Sequence, residues 1–173
     1  LAPITASPVV SVQPSCANND GVITVAAIGG SGNYQYELQD PNAVTVAAPQ
    51  ASSTFTDIAA GDYMVVLHDT GSGCTSYSAA SLEVPTPVTF TAAATNVSCN
   101  NGTDGSITVT LPASNNNPTY LFTVDNGTDP AITQPHPVFT NLAAGTFAVT
   151  VTSGKSCTAT ATITIYEPSA LTL

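Results

Sequence analysis

Four cysteines are the most reactive side chains of this sequence, and their spacing is regular. Cys16 and Cys99 stand 83 residues apart, as do Cys74 and Cys157, so each half of the chain holds a pair separated by 58. Such pairs can close disulfides, and three pairings are open in principle. Pairing within each half, Cys16–Cys74 and Cys99–Cys157, is the simplest. A loop of that size would stabilise each half by roughly 4 kcal/mol in the chain-entropy model. Four buried free thiols are the alternative. No CxxC or Cys/His cluster accompanies them, so a metal site built on the cysteines is not expected. The other candidate for chemistry is Asp125-Asn126-Gly127-Thr128-Asp129, where Asp125, Asn126 and Asp129 offer oxygens of the kind calcium prefers. This is a weak calcium candidate: the spacing is not that of an EF-hand, and Asn-Gly in a turn needs no metal. No other cofactor is expected.

Catalysis finds little support. His68-Asp69 is the only adjacent histidine–acid pair, and the matching positions later in the chain are Thr152 and Ser153. His136 lies between Pro135 and Pro137. Neither histidine sits beside a nucleophile in a recognisable order, and both read as surface residues. Asp57, Asp62 and Asp125 stand on or beside turns, where Asp is common for local hydrogen bonding, so a glycosidase-like carboxylate pair is not implied. The expectation is a protein that is not an enzyme.

The composition narrows the partners. The 173 residues hold one basic side chain, Lys155, against eleven acidic ones, for a net charge of −10. Counterion release from phosphates needs several Lys or Arg, so nucleic acid is excluded as a partner, and docking on an anionic membrane surface fails for the same reason. No apolar run is long enough for a membrane span. Hydrophobic residues make up 43% of the chain, which argues against disorder. Threonine occupies 27 positions and helix-forming straight-chain residues are scarce, so the chain is expected to be all-β.

Self-comparison reveals a tandem repeat. Beyond the cysteines, Asp20-Gly21 returns as Asp104-Gly105, Ile58-Ala59-Ala60-Gly61 as Leu142-Ala143-Ala144-Gly145, Tyr63 as Phe147 and Glu83 as Glu167. The expected organisation is a joint tail at 1–8, repeats at 9–85 and 86–168, and the start of another joint at 169–173, with further copies expected on at least one side. Within a copy, Val22–Ile28 and Ser106–Leu111 alternate as strands after an Asp-Gly turn. A Gly- or Asn-rich turn follows (residues 29–32 and 115–118), then an aromatic strand at Tyr34-Gln35-Tyr36 or Tyr120-Leu121-Phe122. Residues 40–52 and 125–137 are poorly patterned, and the prolines of the second argue against a central strand. The apolar-x-x-Gly-x-aromatic step at Ile58–Tyr63 and Leu142–Phe147 resembles a tyrosine corner. The expectation is therefore two tandem small immunoglobulin-like β-sandwich modules in a rod-like arrangement, with the aromatics recurring at matching positions forming the core.

The disulfide expectation carries a topological condition. In a standard immunoglobulin strand order, Cys16 and Cys74 fall at opposite poles. They share a pole only if the segment 40–52, and likewise 125–137, is irregular. The within-copy disulfides and the irregular segments stand or fall together.

The order Cys99, Asp104-Gly105, a Thr/Val/Ile strand, an aromatic strand, Leu142-Ala143-Ala144-Gly145-Thr146-Phe147, Cys157 and Glu167-Pro168 resembles the SprB-type repeat, and copy one follows it with Glu83-Val84-Pro85 at its end. The resemblance covers both copies. It implies a repeat of long bacterial cell-surface adhesins used in gliding motility, exported by type IX secretion, and so an extracellular, outer-membrane-associated location. Three functional expectations follow: a disulfide-stapled adhesive spacer whose partners are neighbouring repeats of the same polypeptide, a module binding surface polysaccharide, or a self-assembling extracellular filament subunit.

Overall fold

The computed structural model describes residues 2–112, 117 and 119–171, and among them all regular structure is strand. The chain divides into two compact units, Leu1–Pro85 and Thr86–Leu173. The first holds β1 (Thr5–Val12), β2 (Gly21–Ile28), β3 (Tyr34–Gln39), β4 (Thr45–Gln50), β5 (Thr54–Ile58), β6 (Gly61–Asp69) and β7 (Cys74–Leu82). The second repeats the series as β8 (Thr91–Thr95), β9 (Gly105–Thr110), β10 (Tyr120–Asp125), β11 (Ile132–Gln134), β12 (Val138–Leu142), β13 (Gly145–Ser153) and β14 (Thr158–Ile165). Each unit has two antiparallel sheets, ordered β1-β2-β5 and β4-β3-β6-β7 in the first and β12-β9-β8 and β11-β10-β13-β14 in the second. This is an immunoglobulin-like sandwich whose fourth strand joins the larger sheet.

Alternation decides which residues fill each core. On β2, Ile23 and Val25 turn inward, and on β6, Val65 and Leu67 do. Tyr36, Leu38, Phe55, Ile58 and Leu82 complete the first core, and Phe122, Val124, Phe139, Leu142 and Ile165 stand at matching places in the second. The recurring aromatics are core residues, with Tyr34, Tyr63 and Tyr120 half-buried at its margin. Residues 5–8, expected as the tail of a joint, belong to β1, and Ile4 packs against the first core.

Register defines two poles in each unit. At the leading pole of the first unit, Thr5 pairs with Ile28 and Tyr34 with Asp69, which in turn faces Cys74. At the trailing pole, Gly21 pairs with Ile58 and Gly61 with Leu82. The second unit has the same plan, with Thr91 facing Thr110 and Tyr120 facing Ser153 at its leading pole, and Gly105 facing Leu142 and Gly145 facing Ile165 at its trailing pole. Each unit therefore takes the chain in at its leading pole and passes it out at its trailing pole.

Two linked expectations are corrected together. Residues 45–50 form β4 and residues 132–134 form β11, each pairing with one neighbour at a sheet edge, so the segments expected to be irregular carry strands. An edge position tolerates Pro49 in β4 and the prolines flanking β11. With this strand present, Cys16 lies at the trailing pole and Cys74 at the leading pole, as Cys99 and Cys157 do in the second unit. The nine-residue β6 and β13 separate the poles by roughly 25–30 Å, whereas a disulfide needs Cα atoms within about 7 Å. The within-copy pairing is not formed: Cys74 and Cys99 are free and exposed, and Cys16 and Cys157 are disulfide-bonded.

Candidate functional site

The polar chemistry of each unit gathers at its poles. At the trailing pole the Asp-Gly motif closes the loop that carries the cysteine. Asp20 Oδ1 accepts the Ser15 amide at 2.6 Å, and Asp104 Oδ1 accepts the Ser98 amide at 3.0 Å. These hydrogen bonds favour the carboxylate and hold both acids below the usual carboxylate range, the Ser15 amide leading for Asp20 and the Ser98 hydroxyl for Asp104. The glycines do not make the hairpin turn that Asp-Gly suggests. They open β2 and β9, where a Cβ on Gly21 would stand 2.5 Å from the Ile58 carbonyl oxygen and one on Gly105 2.8 Å from that of Leu142. The motif is a loop clasp followed by a close backbone approach.

The corner motif behaves in the first unit as expected. Tyr63 donates its hydroxyl to the Ala59 carbonyl at 3.1 Å, and burial raises its phenol above the ordinary value. Phe147 keeps only the packing and is buried in the second core.

At the leading pole of the first unit, Asp69 is 1% exposed. Ser31 donates both its amide (2.6 Å) and its hydroxyl to it, Gly71 and Ser72 donate amides at 3.0 and 3.4 Å, and the Ser72 hydroxyl donates at 2.6 Å. The hydroxyls of Ser31 and Ser72 are the main cause that pushes this carboxyl far below its ordinary range. Gly30 adopts φ +66°, and a Cβ there would meet Asp69 Oδ2 at 2.3 Å, so the glycine-rich turn exists to admit the carboxylate. Ser153 replaces Asp69 in the second unit: its amide donates to the Cys157 carbonyl at 2.8 Å and its Oγ accepts the Cys157 amide at 3.1 Å. Of the matching turn expected at residues 115–118, only Asn117 lies within the described residues; it donates its side-chain amide to the Thr86 carbonyl at 2.8 Å.

His68 is half-buried rather than on the open surface. Its Nε2 lies 3.3 Å from Glu37 Oε2 and its Nδ1 3.4 Å from the Thr75 hydroxyl. Glu37 also accepts from Gln39 Nε2 (3.0 Å) and Thr45 (2.8 Å), and these bonds, Gln39 first, hold it below the ordinary carboxylate range. His136 is exposed.

The calcium candidate loop joins β10 to β11. Gly127 donates its amide to Asp125 Oδ1 at 2.7 Å, Thr128 and Asp129 donate theirs to Asn126 Oδ1 at 3.1 and 2.9 Å, and Asn126 Nδ2 donates to Asp129 Oδ2 at 2.8 Å. The matching loop of the first unit uses Asp40 in the same way, its Oδ1 accepting the Asn42 and Val44 amides at 2.8 and 2.9 Å. Both are Asx turns at a hairpin tip. Among the described residues no three His, Cys, Asp or Glu side chains gather as a metal site. Asp57 and Asn141 hold matching positive φ values of 59° before the corner, a turn role rather than a catalytic one.

The polar side chains brought together are thus hydrogen-bonded to one another. The groups left with chemistry to offer are the exposed thiols of Cys74 and Cys99. Sequence reasoning missed Asp69, although a Gly-Gly-Ser-Gly turn in the copy that has Asp, set against Ser153 in the other, was a visible signal.

Comparison with known proteins adds the following. The SprB repeat model matches residues 9–43 and 91–129, once in each copy. No curated protein matches. A solved structure of three N-terminal domains of the Highly Immunogenic Outer Capsid protein (Hoc) of bacteriophage RB49 is similar at TM-score 0.57 and 17% identity, over 94% of this chain and 58% of that one. This chain thus spans little more than half the length of that structure, and the likeness concerns fold alone. The amphioxus IgVJ-C2 molecule is similar at TM-score 0.37 and 14% identity, over 93% of this chain and 96% of that one.

Proposed function

The chain carries the SprB repeat twice, and from that premise we propose that it is an adhesive spacer of an extracellular bacterial surface protein, without catalytic activity of its own. The SprB repeat implies a cell-surface adhesin; gliding motility and type IX export are the setting the family suggests for it. The observation that carries the reading is the polarity of each unit. The chain enters at one pole and leaves at the opposite one, so copies added in series lengthen the molecule instead of thickening it. The hydrogen-bonded poles, the single lysine and the net charge of −10 suit a soluble, anionic spacer. Its partners on this reading are neighbouring repeats of the same polypeptide.

The two other readings find less support. Surface polysaccharide would need an aromatic platform, but the exposed rings are Tyr77 and Tyr166, and Phe90 packs against the second core. Filament growth by strand addition would need open edges; Pro49 in β4 and the three-residue length of β11 blunt one edge of each larger sheet, and β7 and β14 form the other.

Small-angle scattering on chains of one, two and four copies tests the spacer. The maximum dimension is expected to rise by roughly 30–40 Å per added copy, the length of one sandwich. A dimension that stays nearly constant as copies are added would sink it.

A further inference from the structure

Asparagine is followed by glycine twice in the sequence, at Asn101-Gly102 and Asn126-Gly127. Such a step can react with itself, because a glycine amide nitrogen has no side chain beside it to block its approach to the asparagine carboxamide. Ring closure to a succinimide needs a base on that nitrogen, charge stabilisation on the side-chain oxygen and a partner for the departing side-chain nitrogen. At Asn126-Gly127 all three are in place. The Gly127 amide donates to the carboxylate oxygen Asp125 Oδ1 at 2.7 Å. Asn126 Oδ1 accepts the amides of Thr128 and Asp129 at 3.1 and 2.9 Å. Asn126 Nδ2 donates to Asp129 Oδ2 at 2.8 Å.

The other Asn-Gly step lacks this arrangement. The Gly102 amide donates at 2.9 Å to the Cys99 carbonyl, a group that takes no proton, and Asn101 Nδ2 donates at 2.9 Å to the neutral Asn100 Oδ1. The matching loop of the first unit cannot react at all, since Pro41 follows its Asp40. The surroundings of Asn126 also leave room for the reaction. Gly127 takes φ +74° with no atom near the place of a Cβ, so the attacking residue is open on that side. Asn126 and Asp129 line a cavity of about 210 Å³, which admits water and lets ammonia leave.

We propose that the loop Asp125–Asp129 is a self-modifying site at which folding promotes deamidation of Asn126. Asp125 takes the proton from the Gly127 nitrogen as that nitrogen bonds to Asn126 Cγ. The electron pair of the Cγ–Oδ1 double bond moves onto Oδ1, where the Thr128 and Asp129 amides hold the negative charge. The proton returns through water to Nδ2, whose positive charge the Asp129 carboxylate stabilises. The Cγ–Nδ2 bond then breaks and ammonia leaves. Water opens the succinimide to aspartate or isoaspartate at position 126, so one water is consumed and one ammonia released, with no oxidant or reductant. The second repeat gains a negative charge beside Asp129, and the first does not. This goes beyond the spacer reading and does not rest on it; a residue that reacts once leaves the chain without enzymatic turnover.

The test ages the full chain at neutral pH, folded and in concentrated urea, and follows both Asn-Gly steps by peptide mapping with mass spectrometry and isoaspartate detection. In urea the two steps should react at similar rates. In the folded chain Asn126 is expected to convert roughly tenfold faster than Asn101, and roughly tenfold faster than it does itself in urea, a modest share of what positioned acid–base groups can supply. Asp125→Asn keeps an oxygen that can accept the Gly127 amide and removes the base. It should slow Asn126 about tenfold, with the melting of the second repeat measured alongside to show that the sandwich is kept. An Asn126 that reacts as slowly folded as unfolded, or more slowly, would overturn the proposal, because the hydrogen bonds would then only tie the side chain down. So would an unchanged rate in Asp125→Asn. An excess of Asn126 over Asn101 that is just as large in urea would assign the difference to sequence neighbours and overturn the role of the folded loop.

Discussion

The two repeats share a core and differ in how they secure the pole where the chain enters. The first buries a carboxylate, Asp69, and surrounds it with two serine hydroxyls and three amides. The second puts Ser153 at that place and closes the turn onto Cys157 with two hydrogen bonds. The outer faces of the larger sheets differ in the same sense. The first carries Glu37 with His68, Gln39 and Thr45. The second carries threonine pairs, Thr123 with Thr133, Thr150 with Thr160 and Thr146 with Thr164, at 2.9, 3.0 and 3.1 Å. One sandwich thus accepts charged, hydrogen-bonded solutions or neutral ones. A neutral pair asks little of its surroundings, whereas a buried charge obliges every neighbouring donor to stay in place.

The largest expected effect breaks the charged solution. Asp69→Ala leaves the Ser31, Gly71 and Ser72 donors facing an empty site, and donors stripped of a buried partner cost far more than a solvated bond. Scanning calorimetry should show the first repeat melting roughly 15 °C or more lower with the second unmoved. Ser153→Ala removes one accepted bond and should lower the second repeat by only about 5 °C. Equal shifts would mean that Asp69 is no more demanding than a serine.

Acid sharpens the contrast. Hydrogen bonding lowers the folded pKa of Asp69, Glu37, Asp40 and Asp20 in the first repeat, and among the second repeat's acids it lowers that of Asp104. A carboxyl depressed in the folded state contributes stability that is fully present above its unfolded value, near 4, and lost as pH falls through the folded one. Between about pH 5 and pH 2 the first repeat should therefore lose more stability than the second, and its transition should separate towards lower temperature. Parallel loss in both repeats would remove the assigned difference.

Much of this was legible along the chain. The repeat period, the alternating strands, the recurring aromatics and the corner all follow from local pattern, because side chains on the core face must be apolar at a spacing of two. The cysteine pairing was not. It turned on whether Thr45–Gln50 is a strand, and an edge strand with one paired side and half-exposed residues writes little pattern into its sequence. That one element sets the parity of the topology and hence the pole of each cysteine. Asp69 escaped for a related reason. His68-Asp69-Thr70-Gly71 reads as an exposed turn, and only Ser31, 38 residues earlier, makes it a buried site.

The smallest effect concerns the corner, the one motif present in both repeats with and without its hydroxyl. Tyr63→Phe removes the bond to the Ala59 carbonyl and turns the first repeat's corner into the second's. The ring keeps its packing, and Ala59 is only half-buried, so water can take over the carbonyl. The cost should be that of one neutral hydrogen bond, about 1 kcal/mol, read as a melting shift of roughly 5 °C in the first repeat. The reverse change, Phe147→Tyr, must place a hydroxyl on a ring that is 5% exposed. It stabilises the second repeat if the Ala143 carbonyl, the counterpart of Ala59, receives that hydroxyl, and destabilises it if the phenol is left unpaired. A gain would show that the two corners share one geometry and differ only by an oxygen. A loss would show that the second core has closed over the place where the hydroxyl would go.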